Sequence, residues 1–152
     1  MPNIEKLIVQ QSFASESHKS IVSLIFIGNW LTSEHQRFFK RFDITMQQFN
    51  ILRILRGQYP GTATVNLLKE RMLDKMSDVS RLVERLQKTD LVERNTCPQD
   101  RRCVNVRISK KGLQLLKKID EHTAEIQALV SSLSEKELQT LNKLLDKILL
   151  NY

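Results

Sequence analysis

The spacing of apolar residues predicts that most of this chain is helical. Between residues 19 and 41 apolar positions recur along one face of a long helix, while Trp30 and Phe39 fall off that face. A helix that is apolar on more than one side needs more than one burial partner. Residues 1–17 are polar and mixed, and we expect a loose or strand-like arm there.

Two capping boxes mark the starts of further helices. Thr45 and Gln48 have the required spacing, and Ser134 and Glu137 repeat it. In this motif each side chain bonds the backbone N–H of the other residue, which satisfies donors that a helix start leaves open. The first box opens a helix that ends near the glycines and proline of 57–61, and the second opens a terminal helix with a leucine-rich stripe. A long helix capped by Ser109 and reaching to about residue 130 is expected before it.

Two short helices with a tight joint are predicted in the middle of the chain. Thr64 can cap the first, and the second is expected from about Lys75 to Thr89, after a break of about three residues. This arrangement is typical of a helix-turn-helix. The apolar face of the second helix is predicted to consist of Met76, Val79, Leu82, Val83 and Leu86.

A β-hairpin is predicted directly after the second short helix. Apolar and polar residues alternate over 91–94 and 104–108, and a polar turn lies between them. A hairpin in this place is a wing. We therefore expect a mainly α protein with a small β-hairpin, as one domain over 1–152: a winged helix-turn-helix part over about 43–110 and helical parts over about 1–42 and 111–152.

Positive charge is concentrated in the same part of the chain. The net charge is +7, and residues 64–111 alone carry 12 Lys and Arg against 7 Asp and Glu. Such a concentration is the electrostatic footprint expected of a nucleic-acid-binding surface. The apolar run 21–27 is too short to cross a bilayer and no leader pattern opens the chain, so we expect a soluble, cytoplasmic protein with no membrane partner.

Nothing in the sequence indicates catalysis or a bound cofactor. There is no glycine-rich phosphate loop, nucleophile elbow or paired-carboxylate motif. The histidines His18, His35 and His122 are dispersed and lack the spacing of metal ligands. We expect neither an enzyme nor a metal or cofactor site.

An ordered series of short motifs runs through this region. Residues 79–86 read VSRLVERL, 91–94 LVER, 100–102 DRR and 108–112 ISKKG. Together they resemble the MarR family of bacterial transcription regulators, and the resemblance covers about residues 43–148. It implies a recognition helix, a wing, a long dimerisation helix and two chain ends that interlock in a homodimer. Asp90 stands where the family usually has glycine at the helix exit, and Ser109 replaces a usual threonine with equivalent capping chemistry.

The predicted second helix carries candidate DNA contacts in its first two turns. Arg81 can donate two hydrogen bonds to guanine and Asp78 can accept one from cytosine. Lys75, Arg71 and Arg85 are better placed for phosphates. The full predicted set on this helix and the one before it is Arg71, Lys75, Ser77, Asp78, Ser80, Arg81 and Arg85. The alternative is a solvated helix face without function.

The wing has candidates of its own. The resemblance places Arg102 in the minor groove with Asp100 bracing it, and Arg101 lies beside them. The alternative is a surface ion pair. Cys97 and Cys103 flank the wing tip, where they are expected to be opposed across the hairpin, either as a redox-active pair or as two ordinary thiols.

A ligand pocket is implied by the resemblance alone. Many MarR proteins bind small aromatic or lipophilic anions between the dimerisation and DNA-binding parts. Trp30, Phe38, Phe39 and Phe49 are the candidate lining residues here, with plain core packing as the alternative.

The favoured function is that of a homodimeric, sequence-specific regulator of transcription. The resemblance implies a ligand-responsive repressor on double-stranded DNA, and a two-fold dimer implies a pseudo-palindromic operator. The alternative is a winged-helix module that binds proteins without specific DNA binding.

Overall fold

The structure, a computed structural model, describes residues 3–97 and 100–152, with the backbone alone described at 96–97 and 100–103. Eight α-helices, one 3₁₀ segment and three strands make up this part of the chain. In chain order they are α1 (Ile4–Leu7), α2 (Glu16–Lys40), α3 (Met46–Gln58), β1 (Ala63–Thr64), α4 (Val65–Arg71), α5 (Val79–Lys88), β2 (Val92–Cys97), β3 (Asp100–Ile108), α6 (Lys110–Asp120), α7 (Thr123–Gln127), the 3₁₀ segment (Ala128–Val130) and α8 (Glu135–Leu149). None of the helices in this part is long and apolar enough to span a bilayer.

Side-chain caps begin four of the helices, α3, α4, α6 and α8, where the sequence predicts them. Thr45 and Gln48 form the complete capping box of α3, and Ser134 and Glu137 form that of α8. Each cap supplies an acceptor for an N–H that has no partner within the helix. The side chains of Thr64 and Ser109 likewise accept from backbone N–H groups at the starts of α4 and α6.

The sheet contains one strand more than predicted. Its order is β1-β3-β2, and both pairings are antiparallel. In β1, Ala63 pairs with Val106 on β3, so the sheet joins the start of the helix-turn-helix to the wing. A strand of two residues is too short to produce an alternating pattern, which is why the sequence did not reveal it.

The core lies where α3 meets α5, α6 and the sheet. Ile51, Leu52 and Leu55 of α3 are almost fully enclosed. Each fully buried side chain of this size contributes about 1.5–3 kcal/mol through removal of its apolar surface from water. The α3 residues are surrounded by buried apolar side chains from every element of the helix-turn-helix and wing, among them Leu68, Val79, Val83, Leu86, Val106, Ile108 and Leu116.

The structure differs from the prediction in three parts of the chain. Helix α5 begins at Val79 rather than Lys75, because the Asp78 side chain caps it there. The joint before it therefore runs over residues 72–78 and not over three residues. Met76, predicted on the buried face, is 93% exposed in this joint. The long helix expected after Ser109 is divided at residues 121–122 into α6 and α7, and the N-terminal arm contains the short helix α1.

Two long helices leave apolar faces uncovered by the rest of the chain. The exposed large apolar side chains of α2 are Ile21, Leu24, Ile25, Ile27 and Trp30, and those of the terminal helix and its end are Leu141, Leu144, Ile148, Leu149 and Leu150. Within the described residues, α2 and α8 thus lack the second burial partner that their apolar patterns require.

Candidate nucleic-acid interface

Helix α5 is strongly two-sided. Val79, Val83 and Leu86 are buried against the core, while the opposite side exposes Ser80, Arg81, Glu84, Arg85 and Lys88. This seats the helix by its apolar face and leaves its polar face turned to solvent. A ten-residue helix of this kind fits the major groove of DNA.

Asp78 and Arg81 form a local pair at the start of α5. Oδ1 of Asp78 accepts from the backbone N–H of Arg81 at 3.2 Å, and Oδ2 lies 3.2 Å from Nε of Arg81. Asp78 is therefore the cap of the helix and lies outside it, as do Lys75 and Ser77, whereas the sequence placed all three within it. The guanidinium of Arg81 remains exposed beyond this pair.

The loop over 72–78, here called the α4–α5 loop, is organised around Asp74. Its Oδ1 accepts from the backbone N–H of Met76 at 3.0 Å, and its Oδ2 accepts from the Ser77 hydroxyl at 2.9 Å. Gln47 of α3 donates to the same Oδ2 at 3.5 Å. These bonds, the one from Met76 first, favour the charged carboxylate and lower the pKa of Asp74 below its ordinary value of 3.8.

Helix α3 also holds the first part of this loop. The backbone N–H of Leu73 donates to Oδ1 of Asn50 at 2.9 Å. Asn50, Gln47 and Asp74 thus fix the path of the chain into α5, and the sequence reasoning missed all three. Asp74 had a local signal, a serine three positions later in a helix-turn-helix joint, which is typical of a side-chain-bonded turn. Gln47 and Asn50 had none, because they lie 27 and 23 positions from their partners.

The predicted phosphate-binding residues lie on three different segments of the chain. Lys75 donates from Nζ to the backbone carbonyl of Glu70 at 2.6 Å, which places its charge at the α4–α5 loop. Arg85 is exposed on α5. Arg71, at the end of α4, lines a cavity that is described below.

The base of the wing is described, whereas the side chains of its tip are not. Arg107 on β3 and Glu93 on β2 form an ion pair across the hairpin, and this pairing raises the pKa of Arg107. The predicted contacts Asp100, Arg101 and Arg102, and the thiols of Cys97 and Cys103, lie outside the described side chains. The backbone ladder shifts after Thr96 and pairs Cys97 with Asp100, rather than with Cys103 as expected.

The exit of α5 is bound tightly to the start of α6. Asp90 has a φ of 60°, the left-handed geometry for which the family usually has glycine. The Ser109 hydroxyl donates to the carbonyl of Asp90 at 2.7 Å, and Lys111 donates to that of Thr89 at 2.8 Å. Gly112 allows the close approach, because a Cβ there would overlap the carbonyl oxygen of Leu91.

A cavity of about 550 Å³ lies behind the α4–α5 loop. The predicted residues Phe38, Phe39 and Phe49 line it, and the rings of Phe39 and Phe49 are 4.4 Å apart. Trp30 does not line it and lies 40% exposed on α2. The other lining residues, which the sequence did not indicate, are His35, Met46, Asn50, Arg53, Ile54, Arg71, Leu73, Ile119, Thr123 and Ile126.

Comparison with known proteins agrees with this arrangement. A model described as the MarR family matches residues 44–104. The transcriptional regulator MgrA of Staphylococcus aureus is 32% identical over 113 residues, which cover 74% of this chain and 75% of the relative. MhqR of Bacillus subtilis is 30% identical over 105 residues, covering 68% and 71%. The transcriptional repressor IacR of Pseudomonas putida is 28% identical over 121 residues, covering 79% and 71%.

Solved structures show the same fold. A complex of S. aureus MepR with DNA aligns with a TM-score of 0.77 at 25% identity, over 93% of this chain and all of that one. A MarR transcription factor from Planctomyces limnophilus aligns with a TM-score of 0.71 at 28% identity, over 89% and 98%.

These observations define a winged helix-turn-helix protein with an exposed recognition helix. The chain belongs to the MarR family, as predicted from its motifs. It is a DNA-binding transcriptional regulator, and the alternative of a protein-binding module without DNA binding is not favoured.

Proposed function

We propose that this protein is a homodimeric repressor whose affinity for a pseudo-palindromic operator falls when a small aromatic anion occupies the cavity behind the α4–α5 loop. One observation carries the proposal. Asn50 and Leu73 both line the cavity and are hydrogen-bonded to each other, and Leu73 begins the loop that leads into α5. A ligand in contact with either residue acts on the position of the recognition helix.

The uncovered faces of α2 and α8 support the homodimer. Together they expose nine large apolar side chains in a single chain, among them Trp30 and Leu144, and Leu150 directly after α8 adds a tenth. A second copy with the same faces buries them in a two-fold interface. Such a dimer presents two α5 helices at a fixed spacing of about one turn of DNA, which is the geometry of a pseudo-palindromic operator.

The DNA contacts follow from the positions of the side chains. Arg81 is proposed to bind guanine, with Ser77, Asp78 and Ser80 beside it at the base edges, and Lys75 and Arg85 at phosphates. In the wing, Arg102 is proposed to enter the minor groove, with Asp100 as its partner and Arg101 nearby. With these contacts we propose a cytoplasmic location, where bacterial DNA lies.

The cavity offers an anion two guanidinium groups with different surroundings. Arg53 already lies 3.6 Å from Asp120 and over the Phe49 ring. Arg71 has no ion-pair partner within the described residues. Arg71 is therefore the better group to bind a carboxylate. We propose this role for Arg71 in place of the phosphate contact predicted from the sequence. The three phenylalanines supply an apolar wall for an aromatic ring.

Selection from a random pool of duplex DNA tests the operator. We expect enrichment of sequences with two inverted half-sites, and a dimer mass by light scattering in the free protein. Affinity should fall steeply with salt, because bound phosphates release counterions. An enriched sequence without inverted symmetry, or a monomer at micromolar concentration, would contradict the proposal.

Benzoate and neutral benzyl alcohol are suitable probes of the cavity. We expect benzoate to weaken binding to the selected operator and benzyl alcohol to act less. Arg71→Gln should abolish this difference between the two probes, while the control Arg37→Gln, at an exposed arginine of α2 outside the cavity, should retain it. An equal response to both probes in the unmodified protein would contradict an anion-selective cavity.

A further inference from the structure

Met76 is an apolar residue without a burial partner among the described residues. It is 93% exposed, and the other exposed large apolar side chain of the α4–α5 loop, Leu73, lines the cavity. Val79, Val83 and Leu86 of α5 are buried. The apolar spacing predicted that Met76 lies on the same buried face. It is exposed because it belongs to the α4–α5 loop and not to α5.

The backbone at Met76 is held firmly although its side chain is free. Its N–H donates to Oδ1 of Asp74, whose other oxygen accepts from the Ser77 hydroxyl. Asp74 is in turn bonded by Gln47 of α3. Met76 is therefore carried at a defined position, two residues before the Asp78 cap of α5.

Its surroundings are those of a DNA-binding surface. Lys75 precedes it, and the exposed Ser80 and Arg81 follow in the first turn of α5. Recognition helices contact base edges with their N-terminal residues. An apolar side chain among such polar neighbours has one chemical counterpart in the major groove, the C5-methyl group of thymine. Methionine suits this contact because its side chain is long, unbranched and adaptable.

We propose that Met76 contacts the C5-methyl group of a thymine in each operator half-site and thereby specifies thymine at that position. The inference rests on the proposed function in requiring an operator with two half-sites. It assigns a specificity-determining role to a side chain that has no hydrogen-bond donor for a base and carries no charge.

Replacement of thymine by deoxyuridine in the selected operator tests the contact, because this change removes only the methyl group. Each thymine is replaced in turn in both half-sites, and affinity is measured by fluorescence anisotropy. Burial of one methyl group raises affinity by about fourfold, and burial of one in each of the two half-sites by about 15-fold. We expect a loss of this size at one symmetric thymine position for the unmodified protein and no loss there for Met76→Ala.

Two variants serve as controls. Lys75→Ala removes a neighbouring charge, so it should weaken binding to the thymine and deoxyuridine duplexes equally and retain the deoxyuridine penalty. Met76→Leu keeps an apolar side chain and should retain most of that penalty. Because Met76 makes no core contact, Met76→Ala should leave the melting temperature unchanged.

The same deoxyuridine penalties in Met76→Ala and the unmodified protein, at every thymine, would overturn the inference and leave DNA binding intact. Absence of paired half-sites in the selected DNA would instead overturn the proposed function. The two failures are therefore distinguishable.

Discussion

The side chain of Asn50 accepts a hydrogen bond from the backbone N–H of Leu73, with 2.9 Å between Oδ1 and N. This bond joins α3, the central helix of the core, to the loop that leads into the recognition helix. Both residues also line the cavity behind that loop. A ligand in the cavity would therefore touch the same two residues that hold the loop before α5 in place.

Asn50→Ala should loosen the α4–α5 loop. The variant leaves the N–H of Leu73 without its protein acceptor, and we expect the free energy of unfolding to fall by about 1 kcal/mol. Binding to the selected operator should weaken more than binding to unrelated DNA, because base contacts need the helix in place and phosphate contacts depend less on it. Chemical denaturation and anisotropy titrations measure the two effects.

Asn29→Ala is the matched control, since Asn29 is an exposed residue of α2 whose side chain forms no hydrogen bond within the described residues. It should leave operator binding unchanged. An Asn50→Ala protein with unaltered preference for the operator would show that this bond does not position α5.

Arg81→Ala should relax base preference at one position of each half-site. Loss of a two-bond contact to guanine costs about 1–3 kcal/mol at that base. Arg85→Ala should instead weaken binding to all sequences alike and reduce the salt dependence. Titrations against operators with single base changes separate the two patterns. A uniform loss in Arg81→Ala would assign that residue to phosphate rather than to base.

Gly112→Ala should destabilise the protein although alanine favours helices. A Cβ at Gly112 overlaps the carbonyl oxygen of Leu91 and the side chain of Ile108. We expect a loss of about 1–3 kcal/mol in the free energy of unfolding, as for other overpacked cores. Gly57→Ala in α3 meets open space and should stabilise by up to about 1 kcal/mol. Equal effects in the two variants would mean that α6 moves away easily from Leu91 and Ile108.

The ion pair between Arg41 of α2 and Glu125 of α7 predicts a dependence on pH. The hydrogen bond from Arg41 lowers the pKa of Glu125 below its ordinary value of 4.5. A depressed pKa in the folded state contributes stability above pH 4.5 that is lost as the pH falls through the depressed value. The contribution is small because both groups are exposed.

Glu125→Gln should therefore lower the melting temperature slightly at pH 7, and the difference from the unmodified protein should vanish in strong acid. Arg41→Gln should show the same dependence, and the double variant should be no worse than either single one. His122 is also hydrogen-bonded to Glu125. If the Arg41→Gln variant still loses stability in acid where Glu125→Gln does not, part of the lowered pKa of Glu125 comes from the His122 contact.

Local patterns predicted much of the fold. The capping boxes at Thr45 and Ser134, the cap at Ser109 and the two-sided pattern of α5 depend on neighbours within one or two turns. The left-handed geometry at Asp90 was expected from the resemblance, because the family usually has glycine at this helix exit. Such features are predictable because their partners are near in sequence.

The errors arise where a local turn or a distant partner overrides the periodic pattern. Met76 continued the apolar spacing of α5, yet Asp78 caps the helix after it, and the backbone N–H of Met76 donates to Asp74 within the loop. Trp30 matched the aromatic character of a pocket, but the cavity forms farther along α2 at Phe38 and Phe39. Strand β1 exists because β3 supplies its partner.

By itself, the sequence determined the class of fold, the starts of α3, α4, α6 and α8 and the exposed charges of the recognition helix, since these depend on local hydrogen bonds and periodicity. Only the tertiary structure decided that Asn50 and Leu73 meet at the cavity and that Met76 faces solvent. Asn50 and Leu73 are more than 20 positions apart in the sequence, so no periodic pattern predicts their contact. The apolar spacing of α5 predicts that Met76 is buried, but the turn before the helix leaves it exposed.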